Sequence, residues 1–253
     1  MKRVKKNRQL FLVILFFFFL NFFGCKKDQS SQTVSSSTGS LTFNIYHVFG
    51  NAPLQFSTNY VTAANDTIRI QSQFAYYFSN IKLTKTDNTT FSPGNFFLVS
   101  YTLNSQNPDS TTITINNVPQ GDYKTLSFVI GVDSVHNHTV GQTGALDPSL
   151  GMCWFWNTGY IFYRLEGNFS SSNTSFSIDL GGDANLMSYD LPATFSLADS
   201  KAINLKMDIQ KMFQGQYTYD LKVDAKDIHS TTIPTIYKLV GNAKNMMSIT
   251  SIQ

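Results

Sequence analysis

The side chains best suited to chemistry lie in Gly131-Val-Asp-Ser-Val-His-Asn-His138, where His136 and His138 stand two residues apart. On extended backbone that spacing puts both imidazoles on one face, where they can chelate one metal ion. Imidazole suits copper, zinc and nickel, so residue type alone does not choose the metal. The competing reading takes both as exposed loop histidines, because the stretch lacks apolar alternation and runs on into turn residues. His47 sits in an alternating run just before a turn and is expected to be a half-buried sheet residue. Asp147-Pro148 has the chemistry of a helix start and leads into Met152-Cys-Trp-Phe-Trp156. So dense an aromatic cluster reads as core, with Cys153 an apolar thiol, although a soft thiolate also suits Cu(I). Asp179, Asp183 and Asp190 border Gly181-Gly182 at a spacing unlike a calcium loop and are expected to be turn residues. No G-x-S-x-G, P-loop, H-E-x-x-H, C-x-x-C or dinucleotide motif is present, so no catalysis is expected.

Ahead of the segments that must position these residues, Lys2, Arg3, Lys5, Lys6 and Arg8 precede an apolar run from Leu10 to Phe23 broken only by Asn21. This is the profile of an export signal, too short for the about 20 apolar residues that span a bilayer core. It ends in Phe23-Gly24-Cys25, which resembles a lipobox, so residues 1–24 are expected to be a lipoprotein signal peptide and Cys25 to be acylated. Each buried methylene contributes about 0.8 kcal/mol, and several acyl chains exceed what stable anchoring needs. The expected partner is therefore membrane lipid, and the expected location is the bacterial cell envelope, at the outer membrane with the face left open. Residues 25–40, rich in Ser, Thr, Gln and Gly, read as a lipidated flexible tether.

Residues 41–253 read as one domain. Residues 41–48 alternate apolar and polar side chains up to a Gly-Asn turn, and strand signals recur at 67–70, 74–83, 96–102, 111–115, 123–130, 160–165, 175–180 and 193–197. Ile203, Leu205, Met207 and Ile209 alternate with polar residues and predict the clearest strand. Near the end, Ile236, Leu239, Val240, Ala243, Met246 and Met247 fall at helical spacing. The fold class predicted is all-β, an antiparallel β-sandwich with a short C-terminal helix.

Without residues 1–24 the chain carries fourteen Lys and Arg against sixteen Asp and Glu, a net charge of −2. That balance offers nothing to a nucleic-acid partner. With Cys25 acylated, Cys153 has no second cysteine, so the core must supply the stability a disulfide would otherwise add.

Gly131-Val-Asp-Ser134, Gly144-Ala-Leu-Asp-Pro148, Gly151-Met-Cys-Trp-Phe-Trp-Asn-Thr-Gly-Tyr160 and Arg164-Leu-Glu-Gly167 together resemble the MbnP-like family, relatives of the methanobactin-associated periplasmic copper-binding protein. Residues 43–54 and 74–83 are similar to the family's opening segments. The resemblance implies an extracytoplasmic β-sandwich that binds copper, in some members through histidines and a tryptophan oxidised to kynurenine by a partner dihaem enzyme. In those members the tryptophan lies two residues before a ligand histidine, on the strand that here reads Tyr77-Phe78-Ser79 and has neither residue. A second ligand is implied within residues 131–138, at His138 or else His136, with His47 as a substitute imidazole. Trp154, Trp156, Gly159 and Tyr160 belong to the structural signature, and both tryptophans are expected to pack rather than to ligate. The implied function is copper uptake, carriage or storage, with a dihaem oxidase or a metal transporter as partner. Two alternatives remain open: a structural or interaction lipoprotein that has lost the site, and a carbohydrate-binding one whose exposed aromatics stack on sugar rings.

Overall fold

The computed structural model describes residues 37–139, 141–154, 159–169 and 173–253. The expected signal peptide, the acylated Cys25, most of the tether and Trp156 lie outside the described residues. Strand β1 (Thr38–Phe49) shows why the chain folds as sheet: Leu41, Phe43, Ile45, His47 and Phe49 are buried, while the residues between them face outward. The chain continues through β2 (Ala52–Pro53), β3 (Asn59–Val61), β4 (Thr67–Lys85), β5 (Thr90–Phe91), β6 (Phe96–Thr102), β7 (Ser110–Pro119) and β8 (Gly121–Ile130). After helix α1 (Ser134–Asn137) come β9 (Ile161–Phe169), β10 (Ser175–Gly181), β11 (Met187–Leu197) and β12 (Ser200–Asp208). The last elements are α2 (Gln210–Phe213), β13 (Asp227–Ile228), α3 (Ile236–Ala243) and β14 (Met247–Ile252).

These strands build two sheets packed as a sandwich, as predicted. The smaller sheet runs β14-β12-β1, with β7 and β2 sharing the other edge of β1. The larger runs from β11 and β8 through β4 to β9, β10 and β13, with β3, β5 and β6 also on β4. Both sheets are mixed: β1 pairs with β12 in parallel, and so does β10 with β13. A strand that returns after a long excursion is not bound by hairpin geometry to run antiparallel to its neighbour. The helix predicted near the C-terminus is present, but it stops at Ala243 and Met247 opens β14, paired with Met207.

The nineteen-residue β4 organises everything near the signature segment. Phe78 pairs with Phe97 of β6 and with Ile130 of β8, while Tyr76 pairs with Val99 of β6 and with Tyr163 of β9. One residue cannot pair twice on one side, so β8 and β9 occupy successive halves of the same edge of β4. The larger sheet thus forks at Tyr77, and residues 131–160 leave and re-enter at the fork. Along β4, Phe74, Tyr76 and Phe78 join the main core between the sheets. Ala75 and Tyr77 point the other way, into a second cluster with Val132, Leu146, Met152, Trp154, Tyr160 and Phe162 that closes under the 131–160 segment.

Candidate functional site

The segment leaves β8 at Gly131, whose φ of +138° favours glycine. A Cβ there would come within 2.8 Å of Leu186 and 3.0 Å of Phe162. Ser79 Oγ donates to the Gly131 carbonyl at 2.7 Å, fixing the exit to β4. Asp133 then caps α1, its Oδ1 accepting from the His136 backbone N–H at 3.1 Å.

That helical turn separates the two histidines expected to chelate together. Residues two apart on helical backbone point about 200° apart around the axis, whereas on a strand they would share a face. His136 Nδ1 lies 2.9 Å from both oxygens of Asp133, and its ring sits 4.6 Å from the centre of Phe96. This pair borders a cleft of about 450 Å³ over β4, β8 and β11. His138 turns the other way, with Nε2 3.0 Å from Asp183 Oδ2 at a second cavity of about 390 Å³ that Trp154 and Asn137 also line.

His47 joins neither histidine. Its side chain is fully buried rather than half-buried, enclosed by Phe74, Tyr76 and Tyr101. Nδ1 is 2.8 Å from the Pro108 carbonyl and Nε2 is 2.7 Å from Tyr76 Oη. A carbonyl only accepts, so Nδ1 carries the proton and Nε2 accepts from the tyrosine. No lone pair is left for a metal, and burial lowers the imidazole pKa from 6.5 to about 4. The substitute ligand drawn from the sequence is therefore a core residue.

The signature residues hold the segment in place. Gly159, at φ +138°, brings its backbone so close to Asn137 that a Cβ would lie 3.0 Å from Oδ1. That oxygen accepts from the Tyr160 N–H at 2.7 Å, and Asn137 Nδ2 donates to Asp183 at 2.7 Å. Tyr160 Oη donates to the Leu146 carbonyl at 2.6 Å and accepts from Gln142 Nε2. Trp154 is buried in the second cluster with its backbone N–H on the Gly159 carbonyl. Among the described residues, the buried Tyr77 Oη and Trp154 Nε1 have no hydrogen-bond partner there, and burial pushes the Tyr77 hydroxyl pKa well up. Cys153 is only half-buried, with Sγ 3.6 Å from the Pro148 carbonyl. The helix start at Asp147-Pro148 yields a single turn, Pro148–Leu150, which ends at Gly151 in the left-handed region.

Asn137 is the positioning residue that the sequence reading missed, because its partners lie 23 and 46 positions away. A second omission is Asp179. It was expected in a turn, yet it lies in β10, fully buried, with Arg164 Nε at 2.8 Å and Nη2 at 2.7 Å. His229 Nδ1 approaches the same carboxylate at 3.3 Å. Among the described residues, no three His, Cys, Asp or Glu side chains are grouped to hold a metal ion.

The MbnP family model matches residues 38–232. In structure the chain is similar to MbnP from Methylosinus trichosporium, with a TM-score of 0.51 over 79% of this chain and 88% of that one, at 14% identity. No curated protein matches. With a family match across most of its length and the sandwich to go with it, the chain belongs to the MbnP family.

Proposed function

We propose that this chain is an extracytoplasmic lipoprotein, anchored at the outer membrane through acylated Cys25, that carries copper without catalysing a reaction. Family membership supports the cargo, and the observation that carries the site is the pairing of His138 Nε2 with Asp183 Oδ2, 3.0 Å apart at the rim of the Trp154 cavity. Both side chains are more than a third exposed, at 57% and 41%, so an ion reaches them without rearrangement of the core. One imidazole and one carboxylate form a nitrogen–oxygen set of the kind Cu(II) accepts, with water completing the coordination. His136 points into the other cleft, its Nδ1 held by Asp133 away from Asp183, and His47 has no free nitrogen. A metal transporter is the partner that fits such an exposed, exchangeable site better than a dihaem oxidase. Tyr77 stands where the oxidisable tryptophan would be. Titration with Cu(II), followed by electron paramagnetic resonance, should give one nitrogen-ligated ion per chain, lost in His138→Ala and weakened in Asp183→Asn but kept in His136→Ala. Equal binding by His138→Ala would refute the assignment.

One observation favours a second reading, an interaction lipoprotein of the same fold without copper. Ser79, at the family's ligand position, uses its hydroxyl to hold the Gly131 carbonyl, and His47 is used up in the core. Absence of any stoichiometric copper in that titration would favour this version.

A further inference from the structure

The cleft beside His136 lies apart from the His138 cavity, and the copper reading makes no use of it. Its floor is the outer face of β8 and β11, uncovered because β4 bulges between Ser79 and Lys82, where Asn80 takes a φ of +51°. On that floor Ser127 Oγ donates to Asp190 Oδ1, which orients the carboxylate and leaves Oδ2 free to accept. Lys82, exposed on one side, has no ionic partner among the described residues and supplies donors. On the opposite wall the Phe96 ring stands against His136, whose Nδ1 is held by Asp133 so that Nε2 is the nitrogen left to interact.

This combination selects a ligand class. An apolar molecule would leave Asp190 and Lys82 unpaired as it displaced their water, which is costly. An anion would meet two carboxylates, Asp133 and Asp190, against a single lysine. A polyhydroxylated ring satisfies the cleft instead: each hydroxyl both donates and accepts, and the ring's C–H face packs on an aromatic wall. The volume of about 450 Å³ lies within the usual range for small-molecule sites and accommodates a mono- or disaccharide.

We infer that this cleft, formed by Asp190, Lys82, Phe96 and His136, is a saccharide-binding site independent of the copper reading. The test is isothermal titration of the full chain with chitobiose, cellobiose and maltose, each with and without a chelator. At least one of the three should bind with a Kd on the order of 0.1–1 mM, unchanged by the chelator and by His138→Ala. Asp190→Ala and Lys82→Ala should each weaken that affinity by about tenfold, a loss of roughly 1.4 kcal/mol. Lys82 is exposed and unpaired by other charges among the described residues, so Lys82→Ala should keep the wild-type unfolding midpoint. Asp190→Ala also removes the partner of the buried Ser127 hydroxyl, so its affinity is measured at a temperature where unfolding shows it fully folded. Phe96→Ala serves as a third probe of the aromatic wall. Failure of all three sugars to bind at about 10 mM, or binding that survives both Asp190→Ala and Lys82→Ala, overturns the assignment. Loss of copper binding alone leaves it standing, so the two sites fail separately.

Discussion

Acidification should destabilise this fold through His47. Its imidazole is buried and neutral, with a folded pKa of about 4 against 6.5 for an unconstrained histidine. Above pH 6.5 neither state binds the proton and the group adds no pH dependence. As pH falls from 6.5 toward 4, the unfolded chain takes up a proton that the folded chain refuses, so stability drops throughout that window and levels off below it. The full shift corresponds to about 3 kcal/mol, and the loss reached near pH 5 is about 2 kcal/mol. Because the side chain is fully buried, solvent screening does not reduce that figure. The measurement is urea unfolding at about pH 7.5 and about pH 5 for the wild type and for His47→Gln, whose amide can bond Pro108 and Tyr76 but cannot titrate. Carboxylates that protonate in the same interval are common to both proteins and cancel. Wild type should lose about 2 kcal/mol more than the variant, and matching losses within about 0.5 kcal/mol would refute the buried neutral histidine.

The remaining predictions concern the residues that hold the signature segment and its strands. Asp179→Ala should cost about 1–3 kcal/mol in thermal or urea unfolding, because it removes the two-pronged partner of a largely covered Arg164 guanidinium and leaves it Glu166 at 3.4 Å. A loss under about 1 kcal/mol would show that solvent reaches that ion pair. Asn137→Ala should cost about 1–3 kcal/mol by orphaning the Tyr160 N–H, and should also weaken copper binding by freeing Asp183 from its second tether. Unchanged copper affinity in a destabilised Asn137→Ala would separate the two roles.

Much of this fold is legible from alternation. Residues 203–209 read as a half-buried strand, and β12 covers all but the last of them, because each apolar side chain meets the core directly. The run from 67 to 83 is harder: Gln71, Ser72 and Gln73 divide it into two strand signals, yet the register shift between Ile70 and Phe74 lets one strand carry both. Parallel pairing of β1 with β12 depends on where a distant strand arrives, which local pattern does not encode. In the candidate site, the helical turn at 134–137 had a visible signal in Asp133, an N-cap residue followed by no β-branched run. The inward direction of His47 was visible too, in phase with Leu41, Phe43 and Ile45, but its partners Pro108 and Tyr76 lie far along the chain. Only the folded arrangement shows that those partners occupy both ring nitrogens.

The position of β1 also bears on how the domain meets mechanical load. Thr38 opens a strand bonded along both edges, to β7 from Thr38 to Tyr46 and to β12 from Ser40 to Val48, so a load applied at this end would act along it. Tension applied along that strand strains both ladders in shear, so many hydrogen bonds must give way together instead of parting one after another from an end. An edge strand pulled crosswise would peel apart at far lower force. Since forced unfolding is governed by the unfolding rate, a domain loaded along β1 would resist unfolding under force even where its equilibrium stability is ordinary.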